Sequence, residues 1–253
     1  MARQRSGKGG GKAGARKRAP AAGKKQTPPR GKQKPAGRGK PTRSKTARKP
    51  RVARPTTAPP PDDPTLVTRA LSPGDWPLIA RLFGPQGACG GCWCMWPRVE
   101  KGGKTWEAAK GKPNQDRFRR LIQAGEVQGV LALAGQEPVG WCSFGPRADF
   151  PRLDGIRALR QHPRAPGTWS VVCFYIPAPW RGRGVAEMLL AAATRLAIAQ
   201  GATRVEGYPA DPKGKAMPAA FAWTGVPRLF EKVGYRRLPL AKGSRPVFAV
   251  EPT

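Results

Sequence analysis

The tightest constraint on this chain lies between residues 168 and 208. The run "TWSVVCFYI" (168–176) is dense in β-branched and aromatic residues, the composition of a buried strand. After a short turn, Val185, Met188, Leu189, Ala192, Leu196 and Ala199 recur at i, i+3, i+4, i+7, i+11 and i+14, an apolar helical stripe. Gly201 supplies a helix stop, and "TRVEGYP" (203–209) reads as a second strand. A strand–helix–strand crossover of this length makes the two strands parallel. Around this unit the pattern predicts a strand over 65–70 and a helix in "SPGDWPLIARLF" starting near Ser72 or Asp75. It also predicts a polar loop after residue 98 and a helix in "NQDRFRRLIQAG" (114–125) carrying Phe118, Leu121 and Ile122. "VQGVLALAG" and "PVGWCSFG" read as strands joined by a tight turn at "GQEP", with a long loop following. The chain closes with a helix near 225–233 and strands near "YRRLPL" and "RPVFAV". The fold class expected is mixed α/β, with a mostly antiparallel central sheet and one parallel strand–helix–strand unit.

Charge divides the chain. Of its 253 residues, the first 60 hold 20 Lys or Arg and no acid, and the first acid is Asp62. Val52 is the only large aliphatic residue there after Met1, so nothing offsets the entropy of ordering. We therefore expect a disordered basic tail over 1–63 and one domain over 64–253. The tail lacks the apolar run of a secretory signal, and Gly and Pro break any amphipathic presequence. No apolar run approaches the roughly 18 residues that span a bilayer, so a cytoplasmic protein without membrane contact is expected. Basic tails bind polyanions by neutralising phosphates. This one has no aromatic residue for stacking on bases, leaving non-specific nucleic-acid contact or mere solvation as its roles.

The turn between strand and helix, "PWRGRGVAEMLL" (179–190), spends two glycines and two arginines at a helix start. Helix N-termini present free N–H groups and partial positive charge, which together bind phosphate. Glycine lets an anion approach the backbone, and arginine adds bidentate donors. Two nucleotide motifs fail here. A dinucleotide fingerprint needs a third glycine where Glu187 stands, and "GGKT" (102–105) lacks the earlier P-loop glycine, since position 98 is Arg.

The segment Arg181-Gly182-Arg183-Gly184-Val185-Ala186 resembles the Arg/Gln-x-x-Gly-x-Gly/Ala signature of the GNAT N-acetyltransferase superfamily. "FYIPAPW" (174–180) resembles the splayed strand end of that family, and "LFEKVGY" (229–235) its helix-to-strand corner. The resemblance covers roughly residues 65–250 and implies acetyl-CoA as donor and an amine, on a small molecule or a protein, as acceptor. It implies that the turn Arg181–Ala186 holds the coenzyme A pyrophosphate, that the backbone at Phe174, Tyr175 and Ile176 pairs with the pantetheine arm, and that transfer is direct. Phe230 stands where many members place a tyrosine that protonates the leaving thiolate, and Trp223 where many place an asparagine. With that tyrosine missing, backbone N–H groups near 174–176 become candidate oxyanion donors. Tyr175, Tyr208, Glu206 and Asp211 become candidates for proton transfer.

"CGGCWCMW" (89–96) sets Cys89, Cys92 and Cys94 among Trp93 and Trp96. Cys-x-x-Cys spacing suits zinc, but no second pair exists, and the only histidine, His162, stands alone in a loop. A reactive thiol and a packed loop lining the acceptor pocket are the other readings. On the last of these, Trp93, Trp96 and Arg98 form an acceptor wall, and no metal is expected. Against the enzyme reading stands a nucleic-acid-associated protein whose GNAT-like domain binds acyl-CoA without catalysis.

Overall fold

The structure, a computed structural model, describes residues 65–100, 102–156, 159, 162, 165–211, 217–218, 221–239 and 245–252. The expected tail, residues 1–63, lies outside them.

In chain order the elements are β1 (Leu66–Ala70), α1 (Trp76–Phe83), α2 (Lys104–Ala109), α3 (Lys112–Gln123), β2 (Gly129–Ala134) and β3 (Glu137–Pro146). Then come β4 (Thr168–Tyr175), α4 (Val185–Ala199), β5 (Arg204–Gly207), α5 (Pro227–Lys232), β6 (Arg236–Arg237) and β7 (Phe248–Val250). The seven strands form one sheet in the order β1-β2-β3-β4-β5-β7-β6. All neighbouring pairs are antiparallel except β4 and β5, which run parallel as the crossover requires.

Both faces of the sheet are covered. On one, Val130, Ala132, Cys142, Phe144, Val171 and Val205 meet α4 through Val185, Leu189, Ala193 and Ala197. On the other, Leu131, Leu133 and Trp141 meet Ile79 and Phe83 of α1, Phe118 of α3, and Trp93 and Met95. The alternation of Val130 and Ala132 with Leu131 and Leu133 is the two-residue period of a strand, with both sides apolar because both are packed. A smaller cluster of Phe150, Leu153, Val172, Tyr208 and Val247 fills the end of the sheet toward β7.

Three expectations need correction. The stretch expected as polar loop contains helix α2, whose Trp106 is buried edge-on against Trp96 at 4.9 Å. The buried stripe of α4 is rotated from the one expected: Leu190, Ala193 and Ala197 are buried, while Ala199 is exposed and Leu196 half-buried. The helix lies close to the sheet over a glycine of β3. At Gly140 of β3 a Cβ would stand 2.8 Å from Val185 Cγ1 and 3.0 Å from Leu189 Cδ1. The closing strands are also shorter than expected, with two residues in β6 and three in β7. No described helix is long and apolar enough to cross a membrane.

Candidate functional site

Strands β4 and β5 pair from Thr168↔Arg204 to Val171↔Gly207 and then part. Beyond that point β4 continues against β3 alone, with Cys142 opposite Phe174 and Trp141 opposite Tyr175. The edge that β4 turns toward the gap is partly taken, because Phe174 N–H donates to Trp223 O at 2.7 Å. Phe174 is therefore removed from the oxyanion donors expected at 174–176. Ile176 lies past the strand, and its carbonyl accepts from Arg181 Nε at 2.9 Å, which holds the following turn against the strand end.

A short 3₁₀ turn, Ala178–Trp180, leads into the glycine–arginine segment. Gly182 and Gly184 both have φ of +77°, a left-handed conformation that glycine adopts without a Cβ penalty. Residues 181–184 are all exposed, and a Cβ on either glycine would meet nothing within 4 Å. The N–H groups of Glu187 and Met188 bond back to Gly184 O at 3.0 and 3.1 Å. The amides just before them are those an α-helix leaves without an intrahelical partner. Behind the turn, Val185 is buried over Gly140 and anchors the helix start, and Ala186 is half-buried. The Arg183 guanidinium lies over the Trp180 ring at 5.5 Å. The result is an exposed turn that carries two arginines ahead of the free amides of a helix start.

On the sheet face away from α4, side chains of β3, β4 and the 92–98 segment converge. Tyr175 is half-buried with its ring edge-on to Phe83 at 5.4 Å, and burial pushes its phenol above the ordinary value. Beneath it Cys94 Sγ accepts from Trp141 Nε1 at 3.3 Å, and the Cys173 thiol donates to Phe174 O at 3.9 Å. The neighbouring Cys173 thiol, the Trp141 donor and the Arg98 charge lower the Cys94 thiol below its ordinary value despite its burial. The neighbouring Cys94, together with burial, holds Cys173 well above the usual thiol range. Burial raises Cys92 to about 11. The Arg98 guanidinium lies 5.0 Å over Phe150, and burial lowers its pKa. Its Nε and Nη2 are shielded from water with no hydrogen-bond partner among the described residues. Trp96 sits between Trp106 and the Arg152 guanidinium, the latter 3.9 Å from its ring. Among the described residues, no three His, Cys, Asp or Glu side chains are placed to hold a metal ion together.

Trp93 does not stand with Trp96 and Arg98 on an open wall. It is 2% exposed and packs on Trp76 and Phe83, with ring centroids 5.5 and 5.8 Å away. Tyr208 is likewise enclosed. Its hydroxyl donates to Glu206 Oε2 at 2.9 Å and lies 2.9 Å from Ser170 Oγ, and burial raises its pKa. Glu206 Oε1 also meets His162 Nε2 at 2.9 Å, so the histidine that stands alone in the sequence is brought to a buried carboxylate. Asp211 is partly exposed and directly precedes residues outside the description. Phe230 is fully buried among Phe174, Tyr235 and Phe248. One edge of its ring lies along β5, with Cε1 2.0 Å and Cζ 2.4 Å from where a Gly207 Cβ would stand.

Residues 96–216, from the Trp96 turn to just past β5, match the family model described as "Acetyltransferase (GNAT) family". No curated protein matches the chain. Solved structures similar to it include an N-acetyltransferase from Thermoplasma acidophilum in complex with coenzyme A. It is 12% identical with a TM-score of 0.43, over 74% of this chain and 99% of that one. Another is an acetyltransferase from Thermus thermophilus, 19% identical with a TM-score of 0.39, over 74% and 97% of the two chains.

Proposed function

Since residues 96–216 make this chain a GNAT-family acetyltransferase, we propose that it moves the acetyl group of acetyl-CoA directly to the nitrogen of an amine acceptor. The observation that carries the reading is the turn Arg181–Ala186. Its two left-handed glycines, open space over both and a fifteen-residue helix behind them fit a pyrophosphate. Acetyl-CoA is the substrate that brings the activated thioester. The free end of β4 at Tyr175 and Ile176 is the backbone offered to its pantetheine arm.

Direct transfer needs an acceptor nitrogen that loses its proton and a leaving sulfur that gains one. Tyr175 suits the second task. Burial keeps its phenol protonated, and it stands at the strand end beyond the last β4–β5 pair. Tyr208 does not suit it, because its proton is committed to Glu206. The partly exposed Asp211, past the end of β5, is assigned uptake of the acceptor's proton through water. Trp96 and Arg98 form the acceptor side. The test is CoA release from acetyl-CoA with amino acids, polyamines and peptide N-termini as acceptors. At least one amine should be acetylated at nitrogen, and Tyr175→Phe should lower kcat more than it weakens acetyl-CoA binding. Acetyl-CoA binding without transfer to any amine would instead favour a domain that senses acyl-CoA.

A separate proposal covers residues 1–60, with their 20 basic and no acidic side chains: they contact nucleic acid without sequence preference. Each phosphate neutralised on duplex DNA adds about 0.9 to the slope of log affinity against log salt. Binding should therefore collapse between low and physiological salt, and should vanish on deletion of 1–60. A truncated chain that holds DNA as tightly as the full one would move the contact to the rest of the protein.

A further inference from the structure

We infer that Trp180 is a positioning residue for acetyl-CoA: its ring holds the Arg183 guanidinium ready for the pyrophosphate, while Arg181 ties the same turn to the sheet. The inference rests on the reading that places the pyrophosphate at Arg181–Ala186, and deepens it by giving the two arginines different tasks.

The arginines differ first in what their donors do. Arg181 Nε donates to Ile176 O at 2.9 Å, so part of its guanidinium is occupied at the end of β4. Arg183 makes no hydrogen bond or ion pair among the described residues, and its guanidinium lies over the Trp180 ring, 5.5 Å from the centroid. Attraction between a cation and a ring acts through the ring's quadrupole and needs no hydrogen-bond acceptor. The N–H groups that Arg183 turns away from the ring therefore stay available, in the planar fork that meets a phosphate with two bonds at once.

The second observation is that the ring is itself fixed. Trp180 closes the 3₁₀ turn Ala178–Trp180, its N–H donates to Pro177 O at 3.0 Å, and Arg181 N–H donates to Ala178 O at 3.3 Å. The Trp180 side chain is half-buried and packs on the core cluster that includes Val185 and Leu189 of α4. A ring held by the core is a fixed rest for a long side chain that would otherwise range over many rotamers.

The third observation is what leaves Arg183 to that ring. Glu187 is the acid nearest to it along the chain, in the first turn of α4, yet the Glu187 carboxylate is paired with Lys232 of α5 at 2.6 Å. On either side Arg183 has a glycine at φ +77°, so no adjacent side chain competes with it for the space over the turn.

The consequence is energetic rather than a new contact. An arginine that binds an anion from a disordered start must lose its rotamer freedom in the binding step, and one already restricted loses less. Removing the ring should therefore weaken acetyl-CoA by about two- to tenfold, the range expected for ordering one long side chain. Arg183 is the group that acts on the ligand, and Trp180 acts through it.

The experiment measures acetyl-CoA binding to the full chain by calorimetry, with a thermal melt of each variant. Trp180→Leu should weaken binding by the stated factor, and Trp180→Tyr, which keeps an aromatic face, should restore most of the loss. With Met already at position 183, Trp180→Leu should have no further effect on affinity. Its packing cost should still lower the melting temperature equally in both backgrounds, so a merely structural role does not imitate the coupling. Arg181→Met should destabilise the fold more than Arg183→Met does, and its effect on affinity should add to that of Trp180→Leu. Unchanged affinity in Trp180→Leu, or the same loss with Met at 183, would overturn the inference while leaving the pyrophosphate reading in place. Acetyl-CoA binding that neither Arg183→Met nor Gly184→Asp lowers would remove the pyrophosphate from this turn, and the inference with it.

Discussion

Gly184→Asp separates the charge of the proposed pyrophosphate cradle from its shape. The substitution meets no atom within 4 Å, so its cost in the free protein is conformational, from a φ of +77°. A left-handed L-residue costs roughly 1–2 kcal/mol, less for Asp and Asn, which visit that region more readily. An acid at a helix N-terminus returns about 0.3–1 kcal/mol, so folding stability should change by no more than about 1 kcal/mol. Binding is another matter. A unit charge about 4 Å from a phosphate charge is repelled by about 1 kcal/mol at the dielectric of water and about 4 kcal/mol at that of a protein surface. At 1.4 kcal/mol per tenfold, acetyl-CoA affinity should fall by about 5-fold to about 1000-fold. Gly184→Asn carries a similar backbone cost and no charge, so the ratio of the two dissociation constants isolates the electrostatic part. Calorimetry with acetyl-CoA should show the aspartate at least about fivefold weaker than the asparagine, with the gap narrowing as salt screens the charges. Thermal melts should place both variants close to wild type. An aspartate variant that binds as tightly as wild type removes the anion from this turn. An asparagine as damaging as aspartate would mean that backbone conformation, not charge, holds the ligand.

Phe230→Tyr, which restores the residue common in the resembling family, should lower the melting temperature and leave kcat no higher. Phe230 is fully buried among apolar rings, and a buried unsatisfied hydroxyl costs about 1–3 kcal/mol. A stable variant with a raised kcat would show instead that the ring end faces the thioester. Asp75 gives an acid limb to stability. Two bonds from Arg69, at 2.6 and 2.7 Å, and one from Ser72 N–H hold its carboxyl below the ordinary 3.8. A carboxyl depressed in the folded state stabilises above its ordinary value and loses that contribution as pH falls through the lowered one. The urea midpoint of the wild type should thus drop more steeply below about pH 4 than that of Asp75→Asn, and parallel curves would deny the pair any role.

What could be read in the sequence follows from how local each signal is. The stop at Gly201 and the turn at Gly182 and Gly184 depend on backbone freedom that glycine announces wherever it stands, so the left-handed turn before α4 was legible in a single short segment. α3 was legible because only one of its faces is buried, at Phe118 and Ile122. α4 was placed correctly along the chain but turned wrongly, since Leu190, Ala193 and Ala197 are as apolar as the stripe expected and only packing on the sheet separates them. α2 has six residues and one buried side chain, too few to show a period, and exists because Trp106 packs on Trp96. The site chemistry was less legible, because it depends on contacts between distant residues. Cys94 meets the Trp141 indole 47 residues away, and His162 meets Glu206, only through the fold. The two tyrosines show the limit most sharply. Tyr208 and Glu206, both candidates for proton transfer in the sequence, are two residues apart and so share one face of the chain, where the structure joins them by an internal hydrogen bond. Tyr175 carries no such neighbour, and what sets it apart is its place beyond the last β4–β5 pair, where the parallel strands have separated and the sheet no longer closes over it.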